Sequence, residues 1–79
     1  EKVKKLRHAP SNIKLGLIFL SNNLIKDAIE QFETALSMDP DSAAALNNLG
    51  LAYVRLGQYA KAIKYLSQAL GKGNPYADI

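Results

Sequence analysis

The sequence predicts an all-α fold in which antiparallel helix hairpins stack side by side as a solenoid. Three observations carry this. Residues 46–70 hold two consecutive apolar stripes, Leu46, Leu49, Tyr53, Leu56 and then Tyr59, Ala62, Ile63, Leu66, Ala69, Leu70, at the three- and four-residue spacing that places side chains on one helix face. Gly57 stands between the stripes, and a residue without a Cβ ends a helix at little steric cost. A shift of 34 residues brings Leu15, Gly16, Leu17, Ala28, Ile29, Ala35 and Leu36 onto Leu49, Gly50, Leu51, Ala62, Ile63, Ala69 and Leu70. A helix pair cannot bury its stripe alone, so repetition at this period marks a stacked array.

Residues 1–8, EKVKKLRH, form a basic N-terminal arm or short helix. They are out of phase with the repeat, because Glu1 and Lys2 stand where a preceding copy would need Ala and Leu. The first helix should begin near Pro10, since a first-turn N–H has no partner to lose, and run to about Ser21. Asn22-Asn23 is the break. Asn23 falls in register with Gly57, and positive φ is expected at both. The second helix runs from about Leu24 to Met38, where Asp39-Pro40-Asp41 stops it. The third starts at Asp41 or Ser42, either of which can accept a bond from first-turn N–H groups. The fourth ends near Gly71. Gly16, Gly50, Ala28, Ala62, Ala35 and Ala69 are the small residues of the pattern, which mark close helix crossings.

These features resemble the tetratricopeptide repeat, whose signature runs W-x2-L-G-x2-Y, then A-x3-F, then P. The second copy reads Leu46-x2-Leu49-Gly50-x2-Tyr53 and Ala62-x3-Leu66. The first reads Asn12-x2-Leu15-Gly16-x2-Phe19, Ala28-x3-Phe32 and Pro40. Asn12 and Leu46 replace the Trp, Leu66 replaces the Phe, and Asn74 stands where the closing Pro is expected, with Pro75 following. The resemblance covers about residues 9–74 and implies a right-handed α-solenoid of two repeats, 9–42 and 43–76. Residues 77–79 would then be the start of a following helix or a truncated end.

Length and composition bound the function. Seventy-nine residues make one domain at most, and a single core of this size stabilises by only about 3–5 kcal/mol without a staple. The absence of cysteine excludes disulfides and thiolate metal sites. No apolar run reaches the ~20 residues a membrane span needs, so a soluble chain is expected, with the cytoplasm as the default compartment. The net charge of +3 lies wholly in residues 1–8, and residues 9–79 sum to zero. That basic arm could meet phosphates, but it lacks the aromatics with which single-strand binders stack bases. Nucleic acid is therefore the trailing expectation, and a solvated terminus the leading one.

No catalytic set can be assembled, so no enzyme activity, cofactor, metal or small-molecule substrate is expected. The single histidine, His8, lies in the arm, and there is no cysteine nucleophile. Asp27, Glu30 and Glu33 form an exposed stripe with nothing apolar around them to raise a pKa. Gly71-Lys72-Gly73 lacks the spacing of a phosphate loop and follows a helix, which suits a C-cap. Asp27 and Glu30 align with Lys61 and Lys64 at the repeat spacing, which suggests two facing rows of opposite charge worth about 0–1 kcal/mol per pair.

What remains is surface. The resemblance implies that the first helix of each hairpin lines a concave groove. Its facing residues would be Ile13, Lys14, Leu17, Leu20 and Ser21 in the first copy and Asn47, Asn48, Leu51, Val54 and Arg55 in the second. An apolar centre with a polar rim has the character of an interaction site. Asn48 is the sharpest candidate, because an amide offers donor and acceptor together to a peptide backbone. Ile13 and Leu17 stand where a subclass of the family uses Lys and Asn to clamp a C-terminal carboxylate, which argues against that ligand. The leading expectation is a module that binds a peptide or protein segment. Its rival is a structural scaffold that covers its open ends with copies of itself, by dimerisation or helix exchange.

Overall fold

A computed structural model of the chain describes the backbone of residues 2–73, with side chains described for residues 11–71. Four helices follow one another: α1 (Lys2–Ser21), α2 (Ile25–Met38), α3 (Ala43–Leu56) and α4 (Tyr59–Gly73). Among the described residues there is no strand. α1 packs on α2 and α3 on α4 as hairpins, α2 packs on α3 between them, and α1 and α3 also touch. This is the expected stack of two hairpins. The positions expected around Asn74-Pro75 and at 77–79 lie outside the described residues.

The hairpin turns repeat at the level of individual hydrogen bonds. Asn23 has φ 64° and Gly57 has φ 80°, as their shared register predicts. In the first turn Leu24 N–H donates to the Phe19 carbonyl (2.8 Å) and Asn23 N–H to Leu20 (3.0 Å). In the second, Gln58 N–H donates to Tyr53 (2.9 Å) and Gly57 N–H to Val54 (3.0 Å). Each is the closure that satisfies the orphan carbonyls of a helix ending in a left-handed residue. Between the hairpins, Asp41 N–H donates to Asp39 Oδ1 (3.2 Å) and Ser42 Oγ accepts from Ala45 N–H (3.1 Å). Ser42 is therefore the cap of α3.

The close crossings fall at the small residues. A Cβ on Gly16 would lie 2.8 Å from Phe32 Cδ1, and one on Gly50 would lie 2.5 Å from Leu66 Cγ. Phe32 and Leu66 are themselves one repeat apart. Ala28, Ala35 and Ala62 are buried beside them, and Phe32, Leu46 and Leu49 are the largest fully buried side chains. Each of those three contributes about 1.5–3 kcal/mol by leaving water.

Three expectations are corrected. The first helix does not begin near Pro10: α1 runs continuously from Lys2 through it. Lys, Leu, Arg and Ala dominate the preceding segment and favour helix, so the basic segment is the start of α1. At about 1.5 Å per residue α1 overhangs the 14-residue α2 by about 9 Å. The second correction concerns the apolar stripe of α4. Ile63 is 64 % exposed while its equivalent Ile29 is 9 % exposed, and Tyr59 and Leu70 are exposed likewise. α2 lies under α3, whereas among the described residues α4 touches α3 alone. Leu15 and Ile18 of α1 are exposed for the same reason, although Leu49 and Ala52 at the equivalent places are fully buried.

The third concerns the facing charge rows. Among the described residues no ion pair joins Asp27 or Glu30 to Lys61 or Lys64, because α3 separates α2 from α4. The lysines lie over tyrosine rings instead.

Ala62 sits 1 % exposed at the α3–α4 crossing. Ala62→Leu is expected to destabilise the fold by about 1–3 kcal/mol through overpacking. Ala60→Leu, on the exposed side of the same helix, should leave the urea midpoint within experimental error.

Candidate functional site

Successive helical residues turn by about 100°, which puts Lys14, Leu17 and Ser21 on one stripe of α1 and Asn48, Leu51 and Arg55 on the equivalent stripe of α3. Leu17 is 41 % and Leu51 45 % exposed. Lys14, Ser21 and Arg55 are exposed, and Asn48 is half-buried. Among the described residues the Asn48 amide has no hydrogen-bond partner within the chain. The two stripes therefore form one surface, apolar along its middle and polar at its ends.

Two of the ten groove candidates, Leu20 and Ile13, are drawn toward the core. Leu20, expected in the groove, is only 8 % exposed. It lies in the core with Ala28, Ile29 and Phe32 of α2 and Leu49, Ala52 and Tyr53 of α3. Ile13 is partly buried against the same core. Both lie about 40–60° around α1 from Gly16, on the flank that meets its neighbours. Asn47 and Val54 hold the same angular place on α3, where among the described residues no helix flanks them, so both are exposed.

Arg55 fixes how the two stripes meet. Its Nη1 donates to the Leu20 carbonyl at 2.9 Å. That carbonyl belongs to the last turn of α1, where unsatisfied acceptors and the helix dipole favour a cation. The guanidinium thus ties the end of α3 to the end of α1, the two helices that carry Leu51 and Leu17 at equivalent places. A second tie that the sequence did not reveal joins α1 to α2: Asn12 Nδ2 donates to Gln31 Oε1 at 2.7 Å. A polar residue at the place of Leu46 was the only signal.

A family model for the tetratricopeptide repeat matches residues 13–77. The chain belongs to the tetratricopeptide repeat family. It is 39 % identical over 64 residues to the BBSome complex member BBS4 of Bos taurus, covering 81 % of this chain and 12 % of that protein. It is 34 % identical over 70 residues to tetratricopeptide repeat protein 21A of Mus musculus, covering 85 % of this chain and 5 % of that one. It is 33 % identical over 63 residues to the anaphase-promoting complex subunit CDC16 of Saccharomyces cerevisiae, covering 80 % and 7 %. The chain thus spans about an eighth or less of the length of these relatives. Tetratricopeptide repeats serve protein–protein interaction, and that is the class of function this membership supports. Among the described residues no cluster of His, Cys, Asp or Glu could hold a metal ion, and no helix is long and apolar enough to cross a membrane.

On α3 and α4 of this tetratricopeptide unit, aromatic side chains replace the expected salt bridges. Tyr53 and Tyr65 stack with ring centroids 5.7 Å apart and planes 7° from parallel. Lys61 Nζ lies 5.3 Å from the Tyr53 ring centre and Lys64 Nζ 5.9 Å from that of Tyr65, within reach of a cation–π attraction. The Tyr53 hydroxyl donates to Glu33 Oε2 at 3.4 Å. Acidic α2 and basic α4 are therefore joined through Tyr53 of α3.

Burial first, then the Glu33 carboxylate and the stacked Tyr65, push the Tyr53 phenol above its ordinary value of 10.0. An acid whose folded pKa is raised supports the fold fully below the unfolded value and loses that support as pH climbs through the folded one. Stability should therefore fall above about pH 10. In Tyr53→Phe, urea titrations between pH 9 and 12 should show a shallower decline. An unchanged slope would mean that the phenol is not raised by its burial and its neighbours.

Proposed function

We propose that the common face of α1 and α3 binds a peptide segment of a partner protein, and that it does so as a binding module without catalysis. The observation that carries this is the exposure of Leu17 and Leu51 at equivalent places on adjacent helices, flanked by Lys14, Ser21, Asn48 and Arg55. Two leucines left in water beside each other gain by covering, and the unpartnered Asn48 amide can pair with the main chain of whatever covers them. Relatives named as members of the BBSome and the anaphase-promoting complex support a role for such units inside assemblies. Selection of a phage-displayed random peptide library on the domain should enrich binders. Their capture should fall at least about tenfold in the Leu51→Ala/Asn48→Ala double variant, with the melting curve unchanged. Capture equal to wild type would remove the face from consideration.

A second reading is self-association, favoured by the apolar face of α4. Tyr59, Ile63 and Leu70 are each more than 60 % exposed, and the same face of α2 is covered by α3. Sedimentation across a concentration series should show a dimer or larger species that Ile63→Glu dissolves. A monomer at every concentration would end this reading.

A further inference from the structure

We propose that the segment held on the α1/α3 face is an extended acidic one in which two carboxylate side chains flank an apolar residue, at positions i, i+2 and i+4. The inference rests on the peptide-binding reading above and specifies its ligand.

Charge in this chain is sorted by helix. Neither α1 nor α3 contains a single Asp or Glu. The described carboxylates, Asp27, Glu30, Glu33, Asp39 and Asp41, all lie on α2 or in the turn after it. The charged side chains of the α1/α3 face are Lys14 and Arg55, both cationic. Lys14 has no partner among the described residues, and Arg55 spends one nitrogen on Leu20, which leaves the rest of its fork free and its position fixed. The overhanging start of α1 carries Lys2, Lys4, Lys5 and Arg7 on the same helix. A layer with cations and no anion favours an acidic partner and repels a basic one.

The spacing follows from the helix geometry. Arg55 reaches the Leu20 carbonyl, so it stands level with the end of α1, while Lys14 lies about two turns, or 10 Å, below. With helix axes about 9 Å apart, the backbone positions of the two cationic residues are about 14 Å apart on a diagonal. An extended chain rises about 3.3 Å per residue and shows alternate side chains to one face. Carboxylates four residues apart therefore span the diagonal, and the residue midway faces Leu17 and Leu51. A nucleic acid would match the charge but finds no ring to stack on among the described residues of this face, since Tyr53 is buried and Phe19 packs against the core.

Three rhodamine-labelled peptides with blocked termini test this by fluorescence anisotropy: Glu-Ser-Leu-Ser-Glu between Gly-Ser flanks, its Gln-for-Glu analogue and its Lys-for-Glu analogue. A labelled oligo(dT) of twelve nucleotides is the fourth probe. The Glu peptide should bind at least about tenfold tighter than the Gln peptide at low salt, and the Lys peptide should not bind. The difference should shrink as salt rises and vanish in Lys14→Glu, whose melting curve should match wild type because Lys14 is exposed. Equal binding of the Glu and Gln peptides, lost in the Leu51→Ala/Asn48→Ala variant, overturns the acidic pattern and leaves the binding face standing. Absence of binding by all three, while library-selected peptides still bind, also overturns the pattern alone. Binding that survives the double variant overturns the face itself. Oligo(dT) binding tighter than the Glu peptide assigns the cationic layer to nucleic acid and ends the proposal.

Discussion

The close approach of each first helix to its second, with a glycine on one side and a large side chain on the other, is the contact on which the rest of the structure depends. Gly16 lies against Phe32 and Gly50 against Leu66. Because no Cβ intervenes, the large side chain reaches the backbone of the facing helix, and the two axes settle at one distance and one rotation. That rotation decides what each first helix turns outward. With Gly16 at the crossing, Leu17 is carried about 100° away from it and into solvent. Gly50 does the same for Leu51. The exposed face of the first helices is thus a consequence of the packing.

The same constraint explains why equivalent faces of the two hairpins differ in exposure. Its turns are alike, with Asn23 and Gly57 both left-handed, so the second hairpin repeats the first and stacks on it. Stacking buries the apolar face of α2 and leaves the matching face of α4 open. Charge follows the layers as well. The first helices carry only cations and α2 carries the described acids with its following turn. Tyr53 links the two chemistries, with Glu33 on its hydroxyl and Lys61 over its ring.

The hairpins, their turns and a cap at Asp41 or Ser42 were visible before any coordinates, because each is set by residues within a few positions of one another. What periodicity could not show depends on neighbours far along the chain. Leu20 and Val54 are equivalent in the repeat, yet one is buried and the other exposed because α3 flanks that side of α1 and no described helix flanks the same side of α3. Ile29 and Ile63 differ for the same reason. The charge rows looked complementary on paper, but repeat-equivalent residues of α2 and α4 are separated by a whole helix, and the lysines found aromatic partners nearer by. Pro10 misled in another way: a local start signal was outweighed by the helix-forming residues before it.

The packing that positions the face can be observed without reference to any ligand. In a nuclear Overhauser spectrum of the isotope-labelled domain, the α-protons of Gly16 should show strong cross-peaks to the Phe32 ring, and those of Gly50 to the Leu66 methyl groups. Missing cross-peaks in either copy, or contacts from Gly16 to Leu17-facing residues of α3 instead, would mean that the two hairpins are not built on the same crossing.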